Sequence, residues 1–344
     1  MWNRACLVVG LAAASLIPSC SSEGDHPGGA LPEGAVGRLD EHRSFAAPVA
    51  VANLKVWPIV TDAPLDVGDF STLQEAQAAG TAAVRERSDG AQVNSLEIEN
   101  SGDRPILVCA GTLVKGGQQD RQIGQDFVVA ARSTVPVDAY CVEPHRWAGA
   151  SLGFAACDFL AIKSVRASAQ YDGDQDGVWE EVVEANDVAC CPSPSGSLFA
   201  AVESAAPDAK QRREELERTV HARFDQLLAR DDAVVGFAYA VNGEPVTIRS
   251  FANRELFERQ LGPFVKAMAL EAELAGRRAG DASARDATIE DVLALVHASE
   301  AEPEEVVPTS GGNENRYRKG RRAASSRCLL GSLGFVLTED WTAR

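Results

Sequence analysis

Short runs of hydrophobic residues, separated by clusters of turn-forming residues, dominate the first half of the chain. One such cluster is Asn100-Ser101-Gly102-Asp103, a composition typical of turns between strands. The spacing predicts a β-sandwich or a compact antiparallel sheet. The predicted strands are residues 55–60, 83–87, 95–99, 105–109, 127–131 and 135–142. One short helix is predicted over residues 72–79, with Ser71 or Thr72 as its N-cap.

The hydrophobic period becomes helical in the second half. Leu216, Val220 and Phe224 recur at helical spacing while charged residues occupy the opposite face, which predicts an amphipathic helix over residues 211–230. Further along, Asn242-Gly243-Glu244 is typical of a hairpin turn. The remaining predicted elements are strands at 233–240 and 246–251, and helices at 253–261 and 264–274 that Gly262-Pro263 separates by a break.

This order of elements predicts an α+β fold, in which an N-terminal antiparallel β-sandwich-like half precedes a helix-rich half with a β-hairpin. The chain is expected to have four parts: a lipoprotein-type signal peptide (1–20), a flexible tether (21–44), a main domain (45–280) and a C-terminal extension (281–344). The extension is predicted to contain an exposed acidic and basic loop over residues 301–322, followed by a terminal strand near 333–337.

The first twenty residues predict export. Arg4 precedes an apolar stretch that is too short to span a bilayer. The following Leu16-Ile17-Pro18-Ser19-Cys20 resembles a bacterial lipobox, and this resemblance implies lipidation of Cys20. We therefore expect a protein held at the bacterial cell envelope by its lipid alone, with simple secretion as the alternative.

The net charge bears on the partners of the protein, and the cysteine content bears on its disulfides. The 344-residue chain has a formal net charge of −17, which disfavours binding to nucleic-acid phosphates. Six cysteines remain after Cys20; an exported protein can form disulfides, but the sequence does not choose among the pairings.

The densest polar segment runs from Gly111 to Arg121. Its Gly116-Gly117 pair would let backbone N–H groups approach an anion or a sugar closely, while Gln119 and Arg121 add donors in fixed directions. Such a segment suits recognition of a phosphate or a carboxylate. The alternative is a glycine-containing hairpin loop with solvated polar side chains.

A second polar segment follows the last strand of the first half. There Glu143 could act as an acid or base and Arg146 could hold an anion. We predict that Arg121, Glu143 and Arg146 lie in one pocket, with the Gly116-Gly117 backbone nearby and Trp179 closing one side. The alternative is that Glu143 and Arg146 form an ion pair that only fixes the strand end.

These two segments resemble the ADP-ribosylglycohydrolase- and rhodanese-phosphatase-associated protein domain, a family with little biochemical characterisation. The resemblance covers residues 50–275 and is also carried by Thr72-Leu73-Gln74-Glu75-Ala76, Gln175-Asp176-Gly177-Val178-Trp179, Ala238-Tyr239-Ala240-Val241-Asn242-Gly243 and residues 53–59 and 96–105. It implies a role in the metabolism of NAD-derived or ADP-ribose-like compounds. Carried over by motif, the candidate catalytic residues are Glu143 and Arg121, and the candidate ligand-binding residues are Gly116, Gly117, Gln119, Arg146, Gln175 and Trp179.

Three positions depart from the family pattern. Thr112 stands where an acidic residue is common, Gln118 where a lysine is common, and His145 where a glycine usually precedes the Arg-Trp pair. Loss of a carboxylate and a cation from one loop leaves binding possible and puts catalysis in doubt.

A calcium loop is a competing interpretation of Asp172-Gly173-Asp174-Gln175-Asp176-Gly177. Asp172, Asp174 and Asp176 match the start of an EF-hand loop, but Val183 occupies the twelfth position, where a bidentate glutamate belongs. Weak Ca²⁺ binding or an acidic solvated turn would both fit this segment.

Two functional hypotheses follow. The first is a cell-envelope lipoprotein whose domain binds or processes a small phosphorylated, NAD-derived or ADP-ribose-like molecule. The second is a non-enzymatic surface domain that binds a ligand or a protein and is stabilised by calcium.

Overall fold

A computed structural model of the protein describes residues 34–87, 94–146, 153–203, 206–230, 233–279, 285–331 and 334–344. The predicted signal peptide, Cys20 and residues 21–33 of the predicted tether lie outside the described residues. Helices and antiparallel sheets are mixed in the described chain, which confirms the α+β class.

The larger sheet has ten strands and is built from both ends of the chain. Its strand order is β1-β2-β4-β13-β14-β18-β17-β16-β15, with β3 paired to β4. The N-terminal strands are β1 (Ala35–Arg38), β2 (Arg43–Ala46), β3 (Val49–Val51) and β4 (Leu54–Thr61). The later strands are β13 (Val234–Val241), β14 (Glu244–Phe251), β15 (Glu304–Pro308), β16 (Asn313–Lys319), β17 (Ala323–Leu330) and β18 (Phe335–Ala343).

Six strands between the two parts of this sheet close into a barrel in the order β11-β6-β5-β12-β8-β9. They are β5 (Ala82–Glu86), β6 (Ser95–Asn100), β8 (Thr112–Gly116), β9 (Arg121–Ile123), β11 (Ser133–Cys141) and β12 (Gly153–Leu160). A separate two-stranded sheet pairs β7 (Ile106–Val108) with β10 (Phe127–Val129). Leu96 and Ile98 of β6 alternate with less buried residues, so one face of the strand packs into the barrel core.

The predicted sandwich-like half followed by a helix-rich half is therefore wrong. The predicted strands of the first half exist, but β4 pairs with β13 from the second half, and the others close on themselves. Alternation of hydrophobic residues decides which face of a strand is buried. It does not decide which distant strand completes the sheet.

The described chain contains seven α-helices: α1 (Leu73–Ala78), α2 (Lys163–Ala167), α3 (Gln175–Ala189), α4 (Phe199–Val202), α5 (Pro207–Ala229), α6 (Arg254–Ala279) and α7 (Ile289–Glu300). Thr72, one of the two predicted N-cap residues, is the N-cap of α1 and forms a capping box with Glu75. Helices α5 and α6 pack on one face of the large sheet through residues such as Phe224 and Phe264, and α7 packs on the other through Val292 and Val296. None of the described helices is both long enough and apolar enough to cross a membrane.

The predicted break at Gly262-Pro263 is absent, because α6 continues through Pro263. Proline removes one backbone donor from the helix. However, Phe257, Phe264 and Met268 on both sides of it are buried in the same core. Tertiary packing of this apolar face outweighs the local cost of the proline.

The structure differs from the prediction in the tether and in the C-terminal loop. Strand β1 begins within the predicted tether, and residues Leu31–Arg344 cluster as one unit, so the chain after residue 280 is not a separate extension. Residues 301–322 contain β15 and β16 instead of an exposed loop. In β16 the buried side chains are Asn313, Asn315 and Tyr317, so a search for hydrophobic alternation does not detect this strand.

Candidate functional site

A cavity of about 680 Å³ lies where the glycine-rich turn of the barrel meets the chain that follows β11. The polar residues in its wall include Asp120, Glu143, Ser195 and Ser197. Lys115, Glu203, Asp208 and Arg277 also line it, together with Cys190, Cys191 and Phe199. The arrangement combines two buried carboxylates with hydroxyl groups and a few exposed charges.

Strand pairing brings the two carboxylates together. Strand β9 pairs with both β8 and β11, with Arg121 opposite Cys141. The residues just outside this pairing continue the contact, because the backbone N–H of Val142 donates to the carbonyl of Asp120 at 3.0 Å. The backbone N–H of Asp120 then donates to Oε2 of Glu143 at 3.0 Å. Barrel geometry therefore sets the relative position of Asp120 and Glu143.

The glycine pair shapes the turn before Asp120. Gly116 and Gly117 have φ values of +137° and +53°, which disfavour a side chain. A Cβ at Gly117 would lie 2.1 Å from the ring of Phe154. The turn aims the backbone N–H of Gly116 at Oδ1 of Asp120, 3.0 Å away, while Ser197 Oγ donates to Oδ2 at 2.9 Å. Both oxygens of Asp120 therefore accept hydrogen bonds.

Arg146 forms ion pairs with both Asp120 and Glu143. Its Nη2 lies 2.6 Å from Oε2 of Glu143 and 3.2 Å from Oδ1 of Asp120. Its Nη1 donates to the carbonyl of Gly117 at 3.0 Å. One guanidinium thus holds both carboxylates and the glycine turn, so the predicted ion pair between Glu143 and Arg146 exists at this site.

The surroundings shift the pKa values of the two carboxyl groups in opposite directions. Burial and the nearby charge of Glu143 raise the pKa of Asp120, despite hydrogen bonds from Gly116 and Ser197. Burial also acts to raise the pKa of Glu143, but hydrogen bonds from Arg146, Ser195 and the backbone of Asp120 outweigh it and lower that pKa. The surroundings therefore favour the protonated form of Asp120 and the ionised form of Glu143, each relative to an ordinary carboxyl group.

The predicted site residues Arg121 and Gln119 lie behind the cavity wall. The Arg121 side chain is 3% exposed, and its Nη1 donates to the carbonyl and the Oε1 of Gln119 at 3.1 and 3.2 Å. Gln119 in turn donates from Nε2 to the carbonyl of Glu143 at 2.8 Å. Arg121 thus shares a hydrogen-bond network with Glu143 without lining the cavity, which corrects the prediction that its guanidinium faces a ligand.

Gln175 and Trp179 are placed differently from the prediction. Gln175 accepts from the backbone N–H of Cys141 at 2.8 Å and donates to the carbonyl of Cys141 at 2.9 Å, so it fastens α3 to the end of β11. Trp179 is half-buried on α3, outside the cavity wall. The predicted closing side is instead formed by the chain between Ala189 and Phe199.

Two of the three aspartates of the predicted calcium loop have separate partners. Asp172 forms an ion pair with Arg344, and Asp174 is the N-cap of α3, accepting from the backbone N–H of Asp176 at 3.0 Å. Across the described residues, no group of three or more His, Cys, Asp or Glu side chains is arranged to hold a metal ion. The arrangement does not support a calcium site here, because helix α3 begins where the ion-binding loop would continue.

The most important residue that sequence reasoning missed is Asp120. It lies between Gln119 and Arg121, both of which were selected from the same segment. Alternation along the strand would have placed Asp120 on the opposite side from these two neighbours. Ser195 and Ser197 were missed because their segment, with two prolines and a glycine, resembles an ordinary loop. The six cysteines in the described chain are free thiols, two of them in the cavity wall.

Glu143 should make stability depend on pH in the acidic range. Because its pKa is lower in the folded state, its contribution is present above its ordinary value of 4.5 and is lost as pH falls through the folded-state pKa. We expect Glu143→Gln to be less stable than wild type near neutral pH and to lose less stability on acidification, measured by urea unfolding at a series of pH values. Asp120→Asn is the matched control with the opposite sign, since a raised pKa costs stability as pH rises through it. Identical pH slopes for wild type and Glu143→Gln would show that Glu143 is not held ionised.

Comparison with known proteins adds one match. The family model described as the ARG and Rhodanese-Phosphatase-superfamily-associated Protein domain matches residues 42–335. No curated protein and no solved structure matches the chain.

Proposed function

The chain belongs to the ARG and Rhodanese-Phosphatase-superfamily-associated Protein domain family, and from its cavity we propose that it binds the ribosyl part of an NAD-derived or ADP-ribose-like molecule and hydrolyses its glycosidic bond. The single observation that carries this proposal is the pair formed by Asp120 and Glu143. Both line the cavity, both are buried, and their surroundings move their pKa values in opposite directions. Two carboxyl groups divided in this way are suited to acid catalysis and charge stabilisation at one bond.

The charge of the cavity favours glycosidic over phosphoryl chemistry. Four acidic residues line it, Asp120, Glu143, Glu203 and Asp208, against two basic residues, Lys115 and Arg277. Phosphoryl transfer concentrates negative charge, which this lining would repel. Cleavage of a glycosidic bond develops positive charge on the sugar ring, which ionised carboxylates stabilise.

The roles of the residues follow from their protonation. Asp120 donates its proton to the leaving group as the bond to the sugar carbon breaks, while ionised Glu143 stabilises the positive charge on the ring. Water then adds to the sugar carbon and its proton returns to the Asp120 carboxylate, so the acid is regenerated. Ser195 and Ser197 lie beside the two acids and supply hydroxyl groups for the sugar hydroxyls.

Binding without turnover is the alternative, and the departures at Thr112 and Gln118 were its basis. Thr112 is buried, and its hydroxyl donates to the carbonyl of Cys109 at 2.7 Å, away from the cavity wall. The two carboxylates come from Asp120 and Glu143 instead. This geometry favours catalysis over binding alone.

The proposal is tested by incubating the purified protein with NAD, in which a base is attached to C1 of the terminal ribose, and separating the products by liquid chromatography. We expect release of that base and formation of ADP-ribose, with water as the second reactant. Release of inorganic phosphate alone would contradict glycosidic chemistry. Binding of ADP-ribose together with no turnover of NAD would favour the non-enzymatic alternative.

The proposal also includes attachment of the protein to the bacterial cell envelope through a lipid on Cys20, supported by its leader sequence. We expect Cys20→Ala to move the protein from the membrane fraction to the soluble fraction, because none of the described helices could span a membrane in place of the lipid. Fractionation and mass spectrometry of the mature N-terminus measure this. Ser19→Ala is the matched control and should stay in the membrane fraction, whereas continued tight membrane association of Cys20→Ala would contradict lipid anchoring.

A further inference from the structure

A second cavity shares the lining residue Arg277 with the first. It measures about 510 Å³ and is bordered by α5, α6 and the turn between β3 and β4. Its apolar wall contains Val51, Ala52, Leu216, Ala272 and Gly276. Cavities of this size and character bind flat ring systems in many proteins.

Two ion pairs involve residues that line the two cavities. Arg277 lines both cavities, and Asp208 of the first is paired with Arg212 of the second at 2.9 Å. Arg277 is paired with Glu273, whose side chain is only 1% exposed. Arg277 also lines the first cavity beside Asp208 and Cys190.

Both arginines can contact an anion that lies between the cavities. The Arg212–Asp208 pair is about half exposed on each side, and exposed ion pairs of this kind are weak enough to exchange partners. Within the described part of the chain, Glu273 is the one acceptor of Arg277, through Nε. The outer edge of that guanidinium, where Nη1 and Nη2 lie, is suited to a phosphate group.

We infer that the two cavities form one extended site for a two-part ligand of the dinucleotide class. Its ribosyl end occupies the first cavity beside Asp120 and Glu143, its phosphates contact Arg277 and Arg212, and its heterocyclic base occupies the second cavity. The inference rests on the proposed function for the ribosyl end. It explains how an acidic cavity accepts an anionic molecule, since the phosphates bind at the arginines and not at the carboxylates.

Gly276 offers a clean test of the second cavity. A Cβ added there meets only Asn53 Nδ2, at 3.7 Å, which is ordinary contact, and the position is helical. Leucine and alanine both favour helices over glycine by up to about 1 kcal/mol, so neither substitution should impair folding. Gly276→Leu would place a branched side chain in the wall of the cavity where a ring would pack, while Gly276→Ala is a matched control that adds only a methyl group.

The experiment measures binding of ADP-ribose and of ribose 5-phosphate by calorimetry, with hydrolysis of NAD assayed in parallel. We expect Gly276→Leu to weaken ADP-ribose binding by about 10–200-fold, the range for a steric misfit in an apolar pocket. Ribose 5-phosphate should bind Gly276→Leu as it binds wild type, and Gly276→Ala should resemble wild type for both probes.

The outcomes separate this inference from the proposed function. Unchanged ADP-ribose affinity in Gly276→Leu overturns the extended site, even if hydrolysis by wild type upholds the function of the first cavity. Weakened ADP-ribose affinity in Gly276→Leu with no hydrolysis by wild type supports the extended site and overturns the proposed reaction. Equal loss of both probes, or no binding of ADP-ribose by wild type, overturns the extended site.

Discussion

Replacing Asp120 with asparagine should lower the rate of glycosidic hydrolysis by about 10²–10⁴-fold, the usual contribution of a positioned general acid. The amide cannot donate a carboxyl proton to the leaving group. It keeps the shape of the side chain and can still accept a hydrogen bond from Gly116 or Ser197. Stability above the pKa of Asp120 should therefore change little or rise, because a carboxyl group whose pKa is raised by folding costs stability in its ionised form. The measurement is kcat with the best substrate, together with urea unfolding.

Glu203→Gln is the matched control for Asp120→Asn. Glu203 also lines the cavity, but its side chain is 59% exposed and pairs with Lys115 at the rim. It should retain kcat within a few-fold of wild type. In wild type, activity should fall as pH rises through the pKa of Asp120, because the acid must be protonated. Full activity in Asp120→Asn would refute its assignment as the acid.

Replacing Arg249 with methionine should destabilise the protein by about 3–5 kcal/mol, the cost of leaving a buried charge without its partner. Arg249 is 2% exposed, and its Nη2 lies 2.7 Å from Oδ2 of Asp126, which is also buried. Its Nη1 lies 3.9 Å from Oδ2 of Asp340. These three residues connect the segment before β10 to two strands of the large sheet, so the loss affects both parts of the fold. Urea unfolding of the full chain measures it.

Arg132→Met is the control for charge removal as such. Arg132 pairs with Asp103 at 2.7 Å, but both side chains are mostly exposed, so we expect little change. Adding Asp126→Asn to Arg249→Met should recover part of the lost stability, because it removes the buried negative charge that Arg249→Met leaves without its partner. A change in Arg249→Met no larger than that in Arg132→Met would contradict the buried ion-pair account.

Local elements of this fold could be predicted because the decisive interactions are close in sequence. The capping box of α1 joins Thr72 to Glu75, and the hairpin turn at Asn242-Gly243 has positive φ at both residues. The closure of the barrel could not be predicted in this way, since Leu160 pairs with Thr112 and Tyr140 with Gln122 across stretches of chain that contain other strands. Such pairings depend on how whole strands fill a shared core.

In the candidate site, too, some residues could be predicted from the sequence and others could not. Glu143, Arg146 and the glycine pair could be identified because their residue types carry chemistry in a short segment. The burial of Arg121 could not, since an arginine in a polar segment is usually exposed. It is buried because β9 runs between β8 and β11 and Gln119 accepts its hydrogen bonds. Asp120 gains its role only from contacts with Ser197 and Glu143, which the barrel supplies.

The central claim is that the cavity holds one carboxyl group poised to donate a proton beside one that stays ionised. Carbon-13 NMR of the labelled carboxyl groups, followed through an acid titration and assigned with Asp120→Asn and Glu143→Gln, measures this directly. We expect the Asp120 signal to titrate above the ordinary pKa of an aspartate and the Glu143 signal to titrate below the ordinary pKa of a glutamate. A downward shift for Asp120 together with an upward shift for Glu143 would contradict the assignment of acid and ionised partner.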